Sequence, residues 1–163
     1  MIRYRTGKIA GLAAVALAAE MTILEACALR GARAEMVLSL ACFAALFARD
    51  SRQGLLGAWL LGLLKDVAGA GPLGLHAILF LGAGWGVLQI RQVLFRESPV
   101  TQLAVAFAAT CGVQAAQALF VALTAGAIPI GVALSKTFLS ALLTAALTPP
   151  LHRLLSQVRW LVR

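Results

Sequence analysis

Acid is scarce in this chain: six Asp and Glu stand against 14 Lys and Arg in 163 residues, and charged residues of both signs make up only 12%. Soluble domains carry about 25% charge. Too few charged side chains are present to coat a water-facing surface, and too few acids to build the carboxylate clusters that hold metals for phosphoryl or glycosyl transfer. The three cysteines, Cys27, Cys42 and Cys111, lie singly in apolar stretches without CxxC or Cys/His spacing. That excludes a thiolate metal site and a disulfide framework, and they read as buried small hydrophobes. GxSxG, HExxH and P-loop patterns are missing too, so neither an enzyme nor a cofactor is expected.

What is present is apolar. Hydrophobic residues reach 61%, alongside 15 glycines and only 7% aromatics, against roughly 45 to 50% apolar in soluble domains. Small side chains in that proportion suit helices that pack closely in lipid. The fold expected is an all-α integral membrane protein, a single bundle of about six transmembrane helices with short loops. The net charge of +8 is divided among clusters between the apolar runs, which marks topology and contact with the lipid bilayer rather than a nucleic-acid partner. The basic start before the first run resembles a leader, but that run is long and carries Glu20 and Glu25, so it reads as a retained helix.

A helix needs about 20 residues to cross a hydrocarbon core of ~30 Å. By that ruler the spans fall at 9–29, 34–48, 54–67, 73–90, 103–125 and 130–147, with a basic tail over 151–163. The second and third are short for a full crossing. A Gly-rich stretch ending in Gly71-Pro72 separates the third from the fourth, and Pro149 and Pro150 are expected to end the sixth, since proline lacks the helical donor. Counting Lys and Arg on alternate sides puts ten on one face (Arg3, Arg5, Lys8, Arg49, Arg52, Arg91, Arg96, Arg153, Arg159, Arg163) and two on the other (Arg30, Arg33). Both termini are therefore expected to be cytoplasmic in a multi-pass protein.

Ionisable groups inside spans are candidates for function by default: here Glu20, Glu25, Lys65, Asp66 and Lys136. Five residues separate Glu20 from Glu25, so they point away from each other and form no carboxylate pair. Glu20 needs a partner, and Lys136 either supplies it or reaches out to headgroups. Asp66 precedes the Gly-Pro break, where it can accept bonds from freed backbone donors or cap the next helix. His76 reads as a hydrogen-bonded packing residue more readily than as a proton acceptor, and His152, in the basic tail, as facing headgroups. The Gly82-Ala83-Gly84-Trp85-Gly86 and Gly54-Leu55-Leu56-Gly57 spacings favour close helix contacts.

The segment from Gly62 through Lys65-Asp66-Val67-Ala68-Gly69-Ala70-Gly71-Pro72-Leu73-Gly74 to His76 and Ile78 resembles the bacterial rod shape-determining protein MreD family. Members tend to show an apolar run ending in Asp, a small-residue stretch, then Pro-Leu-Gly and a new apolar helix. The likeness continues from Gly82 to Arg96 and in Thr148-Pro149-Pro150-Leu151-His152-Arg153. Lys65 stands where an apolar residue is expected. The resemblance implies a non-catalytic scaffold of the cell-elongation machinery in the bacterial inner membrane. It would bind MreC and link the MreB cytoskeleton to the RodA glycosyltransferase and its transpeptidase. Asp66 to Gly74, with Pro72 between them, would shape the helix-turn-helix. The alternative is the substrate-binding subunit of a vitamin-type transporter, which needs a polar, ligand-sized pocket on its outer side, and few convergent polar residues are in view to line one. A membrane enzyme would need Glu20, Asp66, His76 and Lys136 to meet in one wet cavity.

Overall fold

The computed structural model describes residues 6–24, 32–48, 50–69, 71–91, 98–126 and 130–157. Glu25, Cys27, Arg30, Arg49, Ala70, Arg96 and the tail beyond Gln157 lie outside the described residues, as do Arg3, Arg5, Arg159 and Arg163 of the charge count. Among the described residues the chain is all helical: α1 (Thr6–Ala19), which runs into a π-helical turn at Glu20–Leu24, α2 (Met36–Phe47), α3 (Ser51–Ala68), α4 (Leu75–Ile90), α5 (Pro99–Ala125) and α6 (Ile130–Gln157).

α2 is the core. Nine of its 12 side chains are buried, from Val37 to Leu46, and α1, α3, α4, α5 and α6 all pack on it. At 1.5 Å per residue it is only ~18 Å long. The span expected at 34–48 is thus a central strut walled by other helices. Its apolar run serves packing with Leu38, Leu40, Phe43 and Leu46. α3 extends beyond the expected 54–67 because Asp50 caps it, its Oδ1 accepting the Arg52 N–H at 3.2 Å. Two helices, Pro99–Thr124 within α5 and Gly131–Leu155 within α6, are long and apolar enough to cross a bilayer, while α2 and α4 are shorter apolar helices.

The surface inverts the soluble pattern. Leu56, Trp59, Leu60, Ile78, Trp85, Leu119, Leu134 and Phe138 face outward, while Glu20, Glu35, Asp66, Ser140, Thr144 and Thr148 are buried. So large an apolar exterior matches hydrocarbon, not water.

Pro149 and Pro150 do not end α6. Both lie inside a helix that continues to Gln157. The backbone loses two donors there, but packing beyond the prolines holds the helix on course. His152 is buried edge-on against the paired rings of Phe43 and Phe47, its Nε2–H donates to the Ser39 carbonyl at 3.1 Å, and Leu155 joins the core. His152 therefore faces the protein interior and not headgroups.

At Gly62 the backbone of α4 lies directly against α3. A Cβ there would lie 2.5 Å from the His76 carbonyl oxygen and 2.7 Å from the Ala77 Cα, both rigid backbone. Gly62→Ala is expected to destabilise the protein by at least about 2 kcal/mol through overpacking, measured as a lowered melting temperature in detergent. Gly86→Ala, whose added Cβ meets nothing within 4 Å, should leave it unchanged.

Candidate functional site

Two adjacent residues at the end of α3 reach in opposite directions. Asp66 turns forward to the start of α4, where the first N–H groups have no partner within their own helix. Its Oδ2 accepts from Gly74 N at 2.9 Å and Ala77 N at 3.0 Å, and its Oδ1 from His76 N at 3.0 Å and His76 Nδ1 at 2.8 Å. Four donors on one buried carboxylate saturate its lone pairs, and the positive end of the α4 dipole favours the charge. Gly74 sits at φ +98°, a left-handed conformation that glycine adopts at little cost. Pro72 starts the turn, its carbonyl accepting from Leu75 N at 3.4 Å. With Nδ1–H donating to Asp66, the other ring nitrogen of His76 accepts from the Gln117 side-chain amide N–H of α5.

Lys65 turns backward, toward the start of α2. Its Nζ lies 2.9 Å from Glu20 Oε1 and 3.0 Å from Glu35 Oε2 and stands over the Phe80 ring at 5.6 Å. The π-helical turn at Glu20 widens α1 by one residue per turn, and Glu20 is buried there. Its second oxygen accepts the Val37 N–H at 2.9 Å, so Glu20 caps α2 from outside the helix, as Asp66 caps α4. Glu35 accepts from Gln114 Nε2 at 2.6 Å through its Oε1, and Gln114 also donates to Ser140 Oγ at 3.1 Å. Ser140 in turn donates to the Arg33 carbonyl at 2.6 Å.

A hydroxyl ladder completes the arrangement. Ser140, Thr144, Thr148 and His152 are four residues apart and share one face of α6. Thr144 Oγ1 accepts from Glu35 N at 2.9 Å, Ser39 Oγ meets Thr148 Oγ1 at 2.9 Å, and His152 donates to the Ser39 carbonyl. Residue numbers rise together along both helices, so α2 and α6 run parallel. Since Thr148 Oγ1 donates to the Thr144 carbonyl, the Ser39 hydroxyl supplies the proton between them. Thr144→Val strands the buried Glu35 N–H and should cost about 1 to 3 kcal/mol. Ser135→Ala, at an exposed position on the same helix, is expected to leave thermal unfolding unmoved.

The sequence-based candidates therefore divide. Asp66, Pro72, Gly74 and His76 come together at one turn. Glu20 does not meet Lys136: it meets Lys65, and Lys136 stands on an exposed part of α6. The four groups that a membrane enzyme would need do not share a cavity. Polar residues do converge, however, against the expectation from sequence. Glu35, Gln114 and Gln117 escaped notice although they carried a signal: an acid inside the apolar stretch 34–48, and two amides three residues apart on one face of an apolar helix.

Chemically the cluster is closed. Each hydrogen-bonding atom described above has its partner inside the protein, and among the described residues the one buried side-chain polar atom left without one is His152 Nδ1. The arrangement can fix the helices in register. The carboxylates of Glu20, Glu35 and Asp66 and the Lys65 ammonium are engaged with partners inside the protein.

Comparison with known proteins identifies a family. The family model described as rod shape-determining protein MreD covers residues 9–158. No curated protein and no solved structure matches the chain.

Proposed function

The chain belongs to the rod shape-determining protein MreD family, and from that membership we propose a non-catalytic scaffold of the cell-elongation machinery. It binds MreC and helps to link the MreB cytoskeleton to the peptidoglycan synthases RodA and its transpeptidase. It sits in the bacterial inner membrane as six crossings with both termini cytoplasmic. The observation that carries the reading is the family match over nearly the whole chain, and the architecture supports it. A rigid bundle locked by internal polar bonds and coated with apolar side chains acts through its helix faces. The parallel register of α2 and α6 is what alternating crossings require, because an even number of steps separates them.

The transporter-subunit reading calls for a polar pocket with groups left over for a ligand. The convergent residues exist, but Lys65, Glu35, Asp66 and Gln114 are engaged within the protein. That favours a staple over a ligand site.

Depleting the protein in its host tests the role. Rods should round up within a few generations and recover with the wild-type gene. Cells that keep their shape while losing uptake of a nutrient would overturn the scaffold reading. Cysteines placed at 4 and 156 should react with a thiol reagent only after the inner membrane is permeabilised.

A further inference from the structure

α4 and α5 are neighbours in sequence yet leave a groove of about 520 Å³ between them, and its lining residues are all apolar or glycine. It runs along α4 from Ile78 to Ile90, roughly 18 Å, and along α5 from Val113 back to Val105, roughly 12 Å, at about 1.5 Å per residue. Gly82, Gly86 and Gly112 face it, and a Cβ on any of them would meet nothing within 4 Å. Just beyond Ile78 and Val113, the His76–Gln117 contact bridges the two helices and closes that end. Immediately after Ile90, at the other end, comes the half-buried cation Arg91. Its guanidinium reaches across to the end of α2 and the start of α3, where its partners are neutral: the Ala45 carbonyl at 3.3 Å, the Ala48 carbonyl at 2.9 Å and Ser51 Oγ at 3.0 Å.

An apolar slot with one end closed and a half-buried cation next in sequence to its other end has the polarity of an amphiphile with an anionic head. Its length is close to the ~15 Å depth of one leaflet of a 30 Å core. A single hydrocarbon chain can lie along the slot, where the glycines leave the walls without side chains. With both termini cytoplasmic, Arg91 lies at the cytoplasmic leaflet, where anionic lipids are concentrated. We infer that the α4–α5 groove is a site for one acyl chain of an anionic phospholipid whose headgroup pairs with Arg91. The choice of leaflet rests on the orientation proposed above; the lipid chemistry does not.

Native mass spectrometry of the protein released from nanodiscs of equal phosphatidylglycerol and phosphatidylethanolamine tests this. One phosphatidylglycerol should be retained per chain. The double substitution Gly86→Leu/Gly112→Leu fills the slot and should cut retention at least fivefold with thermal stability unchanged. Gly131→Leu, at an open position on α6, should keep the lipid. Equal retention in the filled variant overturns the proposal, as does equal retention of both lipids. Loss of MreC without loss of lipid in the filled variant also overturns it, by making the groove a helix seat. If lipid retention fails while MreC still co-purifies with the wild type, the lipid site alone falls and the scaffold stands.

Discussion

Replacing Asp66 with Asn is expected to be among the most damaging single changes in the protein. The amide keeps one acceptor oxygen where the carboxylate has two, and turns an NH₂ toward donors that need a lone pair. Asp66 is buried and accepts from three backbone N–H groups and a ring N–H, so about two donors are stranded. Each unsatisfied buried donor costs about 1 to 3 kcal/mol. The sum, on the order of 4 kcal/mol, corresponds to a fall of roughly 10 °C in melting temperature for a chain of this size. Thermal unfolding of the purified protein in detergent measures it. A fall of less than about 3 °C would mean that the α4 start is held by packing alone.

Lys65→Met is expected to do comparable harm for a different reason. It leaves Glu20 and Glu35 buried together with no cation, and removing one partner from a buried ion pair costs about 3 to 5 kcal/mol. The diagnostic step is the rescue. Neutralising the acids as well, in Glu20→Gln/Glu35→Gln/Lys65→Met, removes the charge imbalance, and the amide oxygen introduced at position 20 can still accept from Val37 N. The triple variant should recover at least half of the lost stability, a strong non-additivity of the kind that contacting residues show. Additive losses across the three positions would show that the residues do not act as one unit.

The sequence was most informative where local chemistry decides structure. At Asp66 to Gly74, an acid, a small-residue stretch and a Pro-Leu-Gly step prescribe the α3–α4 turn with little help from elsewhere. It was least informative where distant contacts decide. Glu20's partner came from α3 and not from α6, because pairing in a bundle depends on which helices become neighbours. Pro149 and Pro150 read locally as a stop, yet His152 and Leu155 bind α2 strongly enough for the helix to continue. The hydroxyl ladder was legible in principle, since Ser140, Thr144, Thr148 and His152 keep a four-residue spacing; only the partner face on α2, with Glu35 and Ser39, needed the structure. The length of α2 was misleading as a membrane ruler because the helix is enclosed by protein and needs no lipid-matched length. The small residues Gly82 to Gly86 read as a close helix contact, yet of the glycines only Gly84 makes one, against Ala58, while Gly82 and Gly86 face the open α4–α5 groove.

The scaffold role is tested most directly by tagging the protein at its native locus, crosslinking cells, solubilising the membranes and identifying what co-purifies by mass spectrometry. The account predicts recovery of MreC together with RodA and its transpeptidase, reduced severalfold for Asp66→Asn after correction for protein level. Recovery of an ATPase pair or a tightly held small nutrient, with no elongation component, would contradict it.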